Sequence, residues 1–443
     1  MTIMNMPSIT KNELGIGVEW DPSDNYELTH EEWDITYERL DFMRVRFIRC
    51  MYNADYYCKG FDQDNNPIYD WQSRQMKNIE NILTYCEEKN VSVIVGEWSK
   101  PKSLGITSSC DPRWIRMIVD FLEHMLPKYT CIKIYNFINE PDGEWGIDDN
   151  EDPYEIWKKG ITCLSNALKK RHLRDRILLT GPDVWYHIDW IDKIIEDIPE
   201  TIDIYNVHHY ASDNSIINGE IEKFVKKKRE LIHHQDTPSK AFYMGEAGLV
   251  TGKDAYYDQQ HRVKNFDYGV YMADYIIQSM RGGQTGIIMW MLDDIMHNAP
   301  NTCPEDNMFK VWGFWSSFSK EETPLRPWYY PVALLSRYFP AGCQIHHMTM
   351  GGIGVRAVCG IVEKGDCMDY TLAFVTHEKE EQVLDVALPH TNKTTLSHYH
   401  YFESSRPTDE QGFPVPVAVL KDVKDKVTIQ LPSNGMVLLT TMT

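Results

Sequence analysis

Several signatures of common protein classes are absent from this 443-residue chain. It has no apolar run of the about 20 residues that a membrane-spanning helix requires. Its N-terminus has no basic segment followed by an apolar core, so we expect no secretory leader and a cytoplasmic location. The formal net charge is -20, whereas nucleic-acid binding needs basic patches. The sequence therefore predicts neither nucleic acid nor membrane as a partner.

Motifs that hold metal ions or nucleotide cofactors are also missing. No HExxH, CxxC, EF-hand, GxGxxG or P-loop pattern occurs in the sequence. The 10 cysteines are scattered, and several lie in apolar segments, where a thiol behaves as a small hydrophobe. This distribution favours a reduced compartment over a disulfide framework. We therefore predict that the function requires no metal and no organic cofactor.

Strand-like and helix-like segments alternate through the first three quarters of the chain. Hydrophobic residues make up 42% and charged residues 25%, a balance typical of globular proteins. We predict eight strands, at residues 15–21, 42–50, 91–98, 132–138, 177–181, 202–210, 241–248 and 286–292. Eight such units at steady spacing indicate a closed (β/α)8 TIM barrel. A doubly wound open sheet is the weaker alternative, since no GxGxxG follows the first strand.

The character of the sequence changes after about residue 338. The segments beyond it are short, rich in β-formers and separated by turn residues such as those at 432–435. They predict a small antiparallel β-sandwich with a structural role. The predicted organisation is a catalytic barrel at 1–337 and an accessory sandwich domain at 338–443.

Two predicted strands end in a glutamate. The apolar strand at 132–138 runs into Asn139-Glu140-Pro141, and the strand at 241–248 contains Glu246 between two glycines. A single carboxylate of this kind is most often an ordinary loop residue. A pair of them at the ends of parallel strands, however, would meet at one edge of a barrel, where catalytic groups lie. Paired carboxylates catalyse glycoside hydrolysis, one as proton donor and the other as nucleophile or base.

The ends of the other predicted strands carry further polar and aromatic residues. Carboxylates, amides and tryptophans together suit a sugar, whose C–H faces stack on aromatic rings while its hydroxyls form hydrogen bonds. These candidates are Arg46, Arg49, Glu97, Trp98, His208, His209, Tyr210, Trp290, Asp293 and Asp294, with Trp145 and Trp185 in adjacent loops.

The order of these motifs resembles that of the clan A glycoside hydrolases, which are retaining (β/α)8 enzymes. Family 5, the cellulase type, is the first match and family 39, the xylosidase type, the second. The resemblance covers residues 15–335, and it implies that Glu140 is the general acid/base and Glu246 the nucleophile. Asn139 would bond the substrate 2-hydroxyl, and Trp290 would form the floor beneath the sugar that is cleaved.

The same resemblance implies roles for three other positions. His208 and Tyr210 match a His-x-Tyr pair whose tyrosine hydrogen-bonds the nucleophile and keeps it ionised. His209 should face away from His208, because strand neighbours point to opposite sides. Arg46 best matches the strand-two arginine that supports the nucleophile. Arg49 is its rival, since a shift in register would exchange their facings.

The remaining candidates have weaker assignments. Glu97 either contacts substrate or supports the residues that do, without contacting substrate itself. Asp293 and Asp294 help to order the last loop. We expect that Trp98, Trp145 and Trp185 together provide sugar platforms, although any single one of them can be a core residue instead.

These residues do not identify which sugar the enzyme would cleave. A protein without an export signal would meet short oligosaccharides, which favours exo-acting hydrolysis, with β-mannosides or β-glucosides as substrates. An endo-acting β-glycanase of the same clan is the alternative. Two alternatives from other classes are a metal-dependent sugar isomerase and a catalytically silent carbohydrate-binding barrel. The first would use His208 and His209 with acidic strand ends as ligands.

Overall fold

The chain folds into a parallel barrel and a smaller antiparallel region. The computed structural model describes residues 8–143, 152–235, 240–303, 308–316, 318, 323–350, 354–365, 367–389, 391 and 394–443. In chain order the strands are β1 (Ser8–Lys11), β2 (Gly15–Glu19), β3 (Phe47–Tyr52), β4 (Cys58–Phe61), β5 (Pro67–Tyr69), β6 (Ser92–Glu97), β7 (Ile132–Asn136), β8 (Leu178–Val184), β9 (Ile204–Ala211), β10 (Phe242–Leu249), β11 (Gly286–Met289), β12 (Gln344–Met348), β13 (Val355–Lys364), β14 (Cys367–Thr376), β15 (Gln382–Ala387), β16 (Leu396–Tyr401), β17 (Ala418–Leu420), β18 (Lys426–Leu431) and β19 (Gly435–Thr440).

Helices follow the barrel strands and form its outer layer. They are α1 (His30–Met43), α2 (Arg74–Lys89), α3 (Pro112–Met125), α4 (Pro153–Lys170), α5 (Trp190–Asp197), the short α6 (Asp213–Ile217), α7 (Glu220–Gln235), α8 (Phe266–Gly282) and α9 (Tyr329–Tyr338). No helix in the described part of the chain has the length and hydropathy of a membrane span.

Local sequence signals set several of these helix boundaries. The side chains of Thr29 and Glu32 form a reciprocal capping box at the start of α1. Asp152 caps α4, where Pro153 supplies a first helical residue that has no N–H to satisfy. Helix α2 ends at Asn90 in the left-handed conformation, with a φ of 55°.

The closed barrel contains β2, β3, β6, β7, β8, β9, β10 and β11 in that order, and β11 pairs with β2. All eight strand pairs are parallel, which confirms the predicted (β/α)8 class. The lower part of the barrel interior is an apolar layer of buried side chains, which we call the lower layer. Its members are Phe47, Ile94, Ile134, Ile204, Tyr243 and Ile288.

The C-terminal region is antiparallel, as predicted. Seven strands form a sheet in the order β1, β12, β13, β14, β19, β16, β17, and a second sheet consists of β15 and β18. A separate apolar core, which includes Leu372, Phe374, Ile429 and Leu439, is shared by the two sheets. The N-terminal strand β1 pairs with β12, so both ends of the chain contribute to this region. The boundary at 337/338 itself stays a prediction.

The larger sheet rests on helix α8 of the barrel. Tyr401 donates from its hydroxyl to the carbonyl of Phe266 at 2.9 Å, and Arg356 donates to the buried Asp274 at 2.6 Å. Gly269 lies beneath the Tyr401 ring, and a Cβ at that position would meet the hydroxyl oxygen at 2.2 Å. The close approach therefore requires glycine in this helix.

Candidate active site

Glu140 lies just beyond the end of β7, in a strained backbone position. Its φ is 39°, in the left-handed region that non-glycine residues seldom adopt. Two hydrogen bonds hold the backbone there, from Glu140 N–H to the carbonyl of Asp183 at 3.1 Å and from Asn139 N–H to the carbonyl of Glu97 at 3.0 Å. Strain of this kind costs about 1–3 kcal/mol and persists only where neighbouring structure enforces it. Here it fixes the direction of the Glu140 side chain.

A β-bulge in β10 directs Glu246 into the barrel. The register between β10 and β9 pairs Met244 with Val207 and then Glu246 with His208, which leaves Gly245 without a partner. In a regular strand without the bulge, Glu246 would share the outward face of Met244, two residues before it. A Cβ at Gly245 would lie 3.0 Å from the His208 ring, so glycine is the residue that this crowded position admits.

The structure brings the two glutamates together across one cleft. An oxygen of Glu140, an oxygen of Glu246 and a ring nitrogen of His208 all lie within 4.8 Å of one another. His208 Nδ1 is 2.8 Å from Glu140 Oε1 and 3.5 Å from Glu246 Oε1. Retaining glycosidases hold their two carboxyl groups about 5–5.5 Å apart, whereas inverting enzymes need about 6.5–9.5 Å for a water molecule. The spacing suits direct attack by one carboxylate.

Arg49, and not Arg46, reaches Glu246. Arg49 Nη1 donates to Glu246 Oε1 at 3.0 Å and to Glu19 Oε1 at 2.9 Å, while Nη2 donates to Asn139 Oδ1 at 2.6 Å. Arg46 is exposed at the other end of β3 and donates to the backbone carbonyl of Lys89. The predicted preference for Arg46 is therefore wrong. Strand β3 begins at Phe47, whose side chain faces inward, and Arg49, two residues later, shares that face.

Asp183 anchors this cluster, although the sequence analysis did not identify it. The residue lies in a register shift of β8, with a φ of 62°. Its carboxylate accepts hydrogen bonds from Arg49 Nη2 at 2.8 Å, Asn136 Nδ2 at 2.6 Å and Asn206 Nδ2. It also contacts His208 Nε2 at 3.0 Å. Arg49 and His208 lower the pKa of Asp183 against the opposing effect of burial, so this carboxylate stays ionised.

Opposing electrostatic effects act on the buried carboxyl group of Glu246. Burial raises its pKa and the charge of Glu140 adds to the rise, while the positive charges of His208 and Arg49 and the hydrogen bond from Tyr210 offset part of it, so that the pKa stays above its ordinary value. Burial also opposes protonation of His208, but Glu246, Asp183 and Glu140 outweigh it and raise the His208 pKa to about 10. His208 is therefore an imidazolium that donates from both ring nitrogens.

A pocket of about 360 Å³ opens over the two glutamates. Trp98, Trp185 and Trp290 line it, so three of the four predicted tryptophans face this space. The Trp290 ring stacks on His297 with centroids 5.8 Å apart, and the Trp98 ring meets Trp290 edge-on at 5.9 Å. The orientation of the pocket floor is thus fixed by aromatic packing. Trp145 lies outside the described residues.

Glu97 points away from the pocket. Its carboxyl group is fully buried and accepts hydrogen bonds from Tyr57 Oη at 2.8 Å and Trp114 Nε1 at 3.0 Å. Burial raises the pKa of Glu97 to about 8 even though these two donors act against it. Of the two predicted roles, direct contact with substrate is therefore wrong. Glu97 instead supports the site through its backbone carbonyl, which accepts a hydrogen bond from the N–H of Asn139.

The other predicted strand-end residues serve the framework. Asp294 accepts two hydrogen bonds from the guanidinium of Arg326, and Asp293 accepts the N–H of Ile295 at 3.0 Å. Both aspartates therefore order the loop after β11, as predicted. His209 faces outward, as predicted, and its Nδ1 lies 3.1 Å from the hydroxyl of Tyr275 in α8.

Several site residues lie at positions that carry little or no signal in the sequence. Asp183 follows the predicted fifth strand by two positions, so extending the strand-end rule beyond Gly181 would have found it. Glu19 ends β2 and shares Arg49 with Glu246. Three more pocket residues come from long loops without a recognisable motif: Lys253, Asp258 and Lys310.

Glu140, His208 and Glu246 are close enough to serve as ligands of one metal ion. A ligating histidine must be neutral, and the surrounding carboxylates raise the pKa of His208 to about 10. A metal ion at this cluster would therefore have to displace a proton from His208.

The comparisons with known proteins rest on structure. No family model matches the sequence, and neither does any curated protein. A GH39 β-xylosidase from Caulobacter crescentus is 14% identical, with a TM-score of 0.66 over 99% of this chain and 98% of its own. A GH39 enzyme from Xanthomonas axonopodis pv. citri is 12% identical, with a TM-score of 0.68 over 99% and 96%. A GH30 endoxylanase from Clostridium papyrosolvens C71 is 13% identical, with a TM-score of 0.64 over 98% of both chains.

These similarities establish a (β/α)8 barrel with a C-terminal β domain, the fold of GH30 and GH39 glycoside hydrolases of clan A. Identities of 12–14% show the fold alone. The predicted resemblance to clan A is supported at that level, and family 39, the second match, is among these neighbours. The first match, family 5, stays a prediction.

Proposed function

We propose that this protein is a retaining glycoside hydrolase that cleaves β-glycosidic bonds by double displacement. The observation that carries the proposal is the carboxylate pair of Glu140 and Glu246, in which an oxygen of one lies within 4.8 Å of an oxygen of the other. Polar neighbours hold both carboxyl groups in place. Glu246 is held by Arg49 and Tyr210, and Glu140 contacts His208.

In the first step Glu140 would protonate the glycosidic oxygen while Glu246 attacks the anomeric carbon. Arg49 and Tyr210 each donate to one oxygen of Glu246, which fixes the carboxylate for in-line attack. The ring of the cleaved sugar would stack on Trp290. Asn139 would bond the 2-hydroxyl, with its amide orientation fixed by the hydrogen bond from Arg49 to Oδ1.

In the second step Glu140, now ionised, would remove a proton from water as the water attacks the glycosyl–enzyme bond. His208 contacts Glu140 through Nδ1 and Asp183 through Nε2. It would stabilise the Glu140 carboxylate each time the proton leaves. One pair of carboxyl groups therefore serves both steps and gives a product of retained configuration.

We further propose exo-acting hydrolysis of short oligosaccharides, with β-glucosides or β-mannosides first. The pocket is small, at about 360 Å³, which suits one or two sugar rings rather than a polymer cleft. The names of the structural neighbours add β-xylosides to the substrates that should be tried. An endo-acting enzyme of the same clan is the alternative, and a cytoplasmic location stays a prediction.

Alanine variants of the two glutamates test the assignment. Glu246→Ala removes the attacking atom, so hydrolysis of every substrate should fall by at least about 10⁴-fold. Glu140→Ala should slow a poor leaving group, such as a second sugar, by about 10²–10⁴-fold, and a dinitrophenolate only mildly. Sodium azide should give an inverted glycosyl azide with Glu246→Ala and a retained one with Glu140→Ala, as read by NMR.

Two outcomes would change the proposal. Reversed azide stereochemistry in the two variants would exchange the roles of the glutamates, and full activity in either variant would refute glycoside hydrolysis at this site. The metal-dependent alternative makes its own prediction, since Glu140, His208 and Glu246 would then be ligands. We expect activity to survive prolonged EDTA treatment; loss of activity that one divalent ion restores would favour the isomerase instead.

A further inference from the structure

Two lysines share one carboxylate on the wall of the pocket. Lys253 Nζ lies 2.8 Å from Asp258 Oδ1, and Lys310 Nζ lies 2.9 Å from Asp258 Oδ2. All three side chains line the same space as Glu140 and Glu246. Neither lysine takes part in the double displacement described above. We call Lys253, Asp258 and Lys310 the lysine pair site.

The lysine pair site has two ammonium groups and one carboxylate in direct contact with them. Among the described residues Asp258 is the carboxylate within ion-pair distance of either lysine, and Glu246 and Asp24 raise the pKa of Lys310 from farther away. Each ammonium has three N–H donors, and one of them is used by an oxygen of Asp258. The site is thus cationic in a chain whose formal net charge is -20, so general solubility does not account for it.

The lysine pair site is built into a braced part of the structure. The loop after β10, which carries Asp258, is tied to the segment of Lys310 by a hydrogen bond from Gln260 N–H to the Val311 carbonyl at 2.7 Å. A second bond joins Gln259 Nε2 to the Phe309 carbonyl at 3.0 Å. The indole N–H of Trp312 donates to the Asp258 carbonyl at 2.9 Å. The ammonium groups are therefore positioned before substrate arrives.

The lysine pair site adjoins the platform on which the sugar would lie. Lys310 Nζ is 5.4 Å from the centroid of the Trp290 ring. Glu246 contributes to the raised pKa of Lys310, which places this ammonium within electrostatic reach of the nucleophile. A substituent on a sugar stacked over Trp290 would therefore meet Lys310 first and Lys253 next to it.

We infer that the pocket selects glycosides whose cleaved sugar carries an anionic substituent, which Lys253 and Lys310 bind. This inference rests on the proposed function and names its substrate class. An anion next to Glu246 would otherwise be repelled by the nucleophile, so a cationic wall is what makes such a substrate acceptable. A carboxylate, as in a uronic acid, and a phosphate ester share the required chemistry.

A matched substrate panel tests the inference. The 4-nitrophenyl β-D-glucoside, β-D-glucuronide, 6-phospho-β-D-glucoside and β-D-xyloside differ only at the sixth carbon. We expect kcat/KM to be at least about 10-fold higher for an acidic member than for the glucoside, as one charge-assisted hydrogen bond would give. The glucuronide and the phosphoglucoside separate the two sources of the charge.

Lys253→Met and Lys310→Met then identify the residues responsible. Methionine keeps an unbranched side chain as far as Cε and removes the charged amino group. Each variant should lower the ratio of kcat/KM for the preferred acidic glycoside over the glucoside by about 10- to 100-fold. Lys128→Met is the control, because this lysine forms a surface ion pair with Glu80, away from the pocket. Its ratio should stay that of the wild type.

Binding measurements separate failure of this inference from failure of the proposed function. Calorimetry with D-glucuronate, D-glucose 6-phosphate and D-glucose needs no turnover, and at least one acid should bind more tightly than glucose and lose that advantage in Lys310→Met. Hydrolysis of neutral glycosides with no preference for acids would overturn the inference and leave the hydrolase intact. Acid binding that depends on the lysines, without hydrolysis of any glycoside, would support the anion site and refute the hydrolase.

Discussion

The barrel interior has two layers that differ in chemistry although the same strands build both. The lower layer is entirely apolar apart from the hydroxyl of Tyr243, which lies 3.1 Å from Thr180 Oγ1. One inward position further along four of these strands, the side chains become charged, amidic or aromatic. The pairs are Phe47 and Arg49 in β3, Ile134 and Asn136 in β7, Ile204 and Asn206 in β9, and Ile288 and Trp290 at β11.

The change from apolar to polar side chains takes about two residues along a strand. It separates the part of the barrel interior that provides stability from the part that carries the site. The apolar layer closes the barrel and needs no specific partner, because hydrophobic burial is non-directional. The charged layer above it is stable only because each member has partners, as in the four side chains that Arg49 contacts. Substitutions in the two layers should therefore fail in different ways.

Arg49→Met should have the largest effect. The change leaves Glu19, Asp183 and Glu246 without their shared cation, and breaking a buried ion pair costs about 3–5 kcal/mol of unfolding free energy. It should also lower kcat/KM for aryl glycosides by at least about 10²-fold, because the nucleophile loses its orientation. Urea unfolding and steady-state kinetics measure the two effects.

Arg46→Met is the matched control for this prediction. Because Arg46 is exposed and contacts one backbone carbonyl, its removal should change the unfolding free energy by no more than about 0.5 kcal/mol and leave kcat/KM near that of the wild type. If Arg46→Met proved the more damaging of the two, the register of β3 would be wrong.

Ile134→Ala tests the lower layer and should rank second. The side chain is 1% exposed, and removing its buried methyl and methylene groups should cost about 2–5 kcal/mol of unfolding free energy. The folded variant should nevertheless keep kcat/KM within about threefold of the wild type at 25 °C. A larger kinetic loss in fully folded protein, as judged by circular dichroism, would show that the two layers are coupled.

Glu97→Gln should have the smallest effect near pH 5 and a distinctive pH dependence. The folded-state pKa of Glu97 is raised from 4.5 to about 8 by burial, so the folded protein binds a proton that the unfolded chain has released. Stability from this group is complete below about pH 4.5 and declines as the pH rises towards 8. Glutamine imitates the protonated form: its amide can donate to Tyr57 while its oxygen accepts from Trp114.

The measurement is the unfolding free energy from pH 5 to 9 in urea. The variant should lose less stability than the wild type across this range, by an amount on the order of a few kcal/mol. Glu410→Gln, at an exposed position of the C-terminal region, should follow the wild type throughout. Parallel curves for wild type and Glu97→Gln would show that the buried carboxyl does not titrate in this range.

Much of the site followed from strand ends read along the sequence. Glu140, Glu246, His208, Tyr210 and Trp290 all lie at the predicted edge, because apolar strand patterns end at the position where side chains emerge from the barrel. The choice between Arg46 and Arg49 failed because it depends on the residue at which β3 begins, and helix-to-strand boundaries carry errors larger than the one residue that matters.

The sequence by itself determined the order of strands and helices, the closed parallel barrel, the antiparallel C-terminal region and the two glutamates at strand ends. These features depend on local patterns of apolar and polar residues, which survive without knowledge of neighbouring elements. Only the tertiary structure decided which arginine enters the site and that Asp183 holds it. It also decided that a bulge at Gly245 turns Glu246 inward and that Lys253, Asp258 and Lys310 share one pocket wall. These outcomes depend on strand register and on charges far apart in the chain, which meet only when the barrel closes.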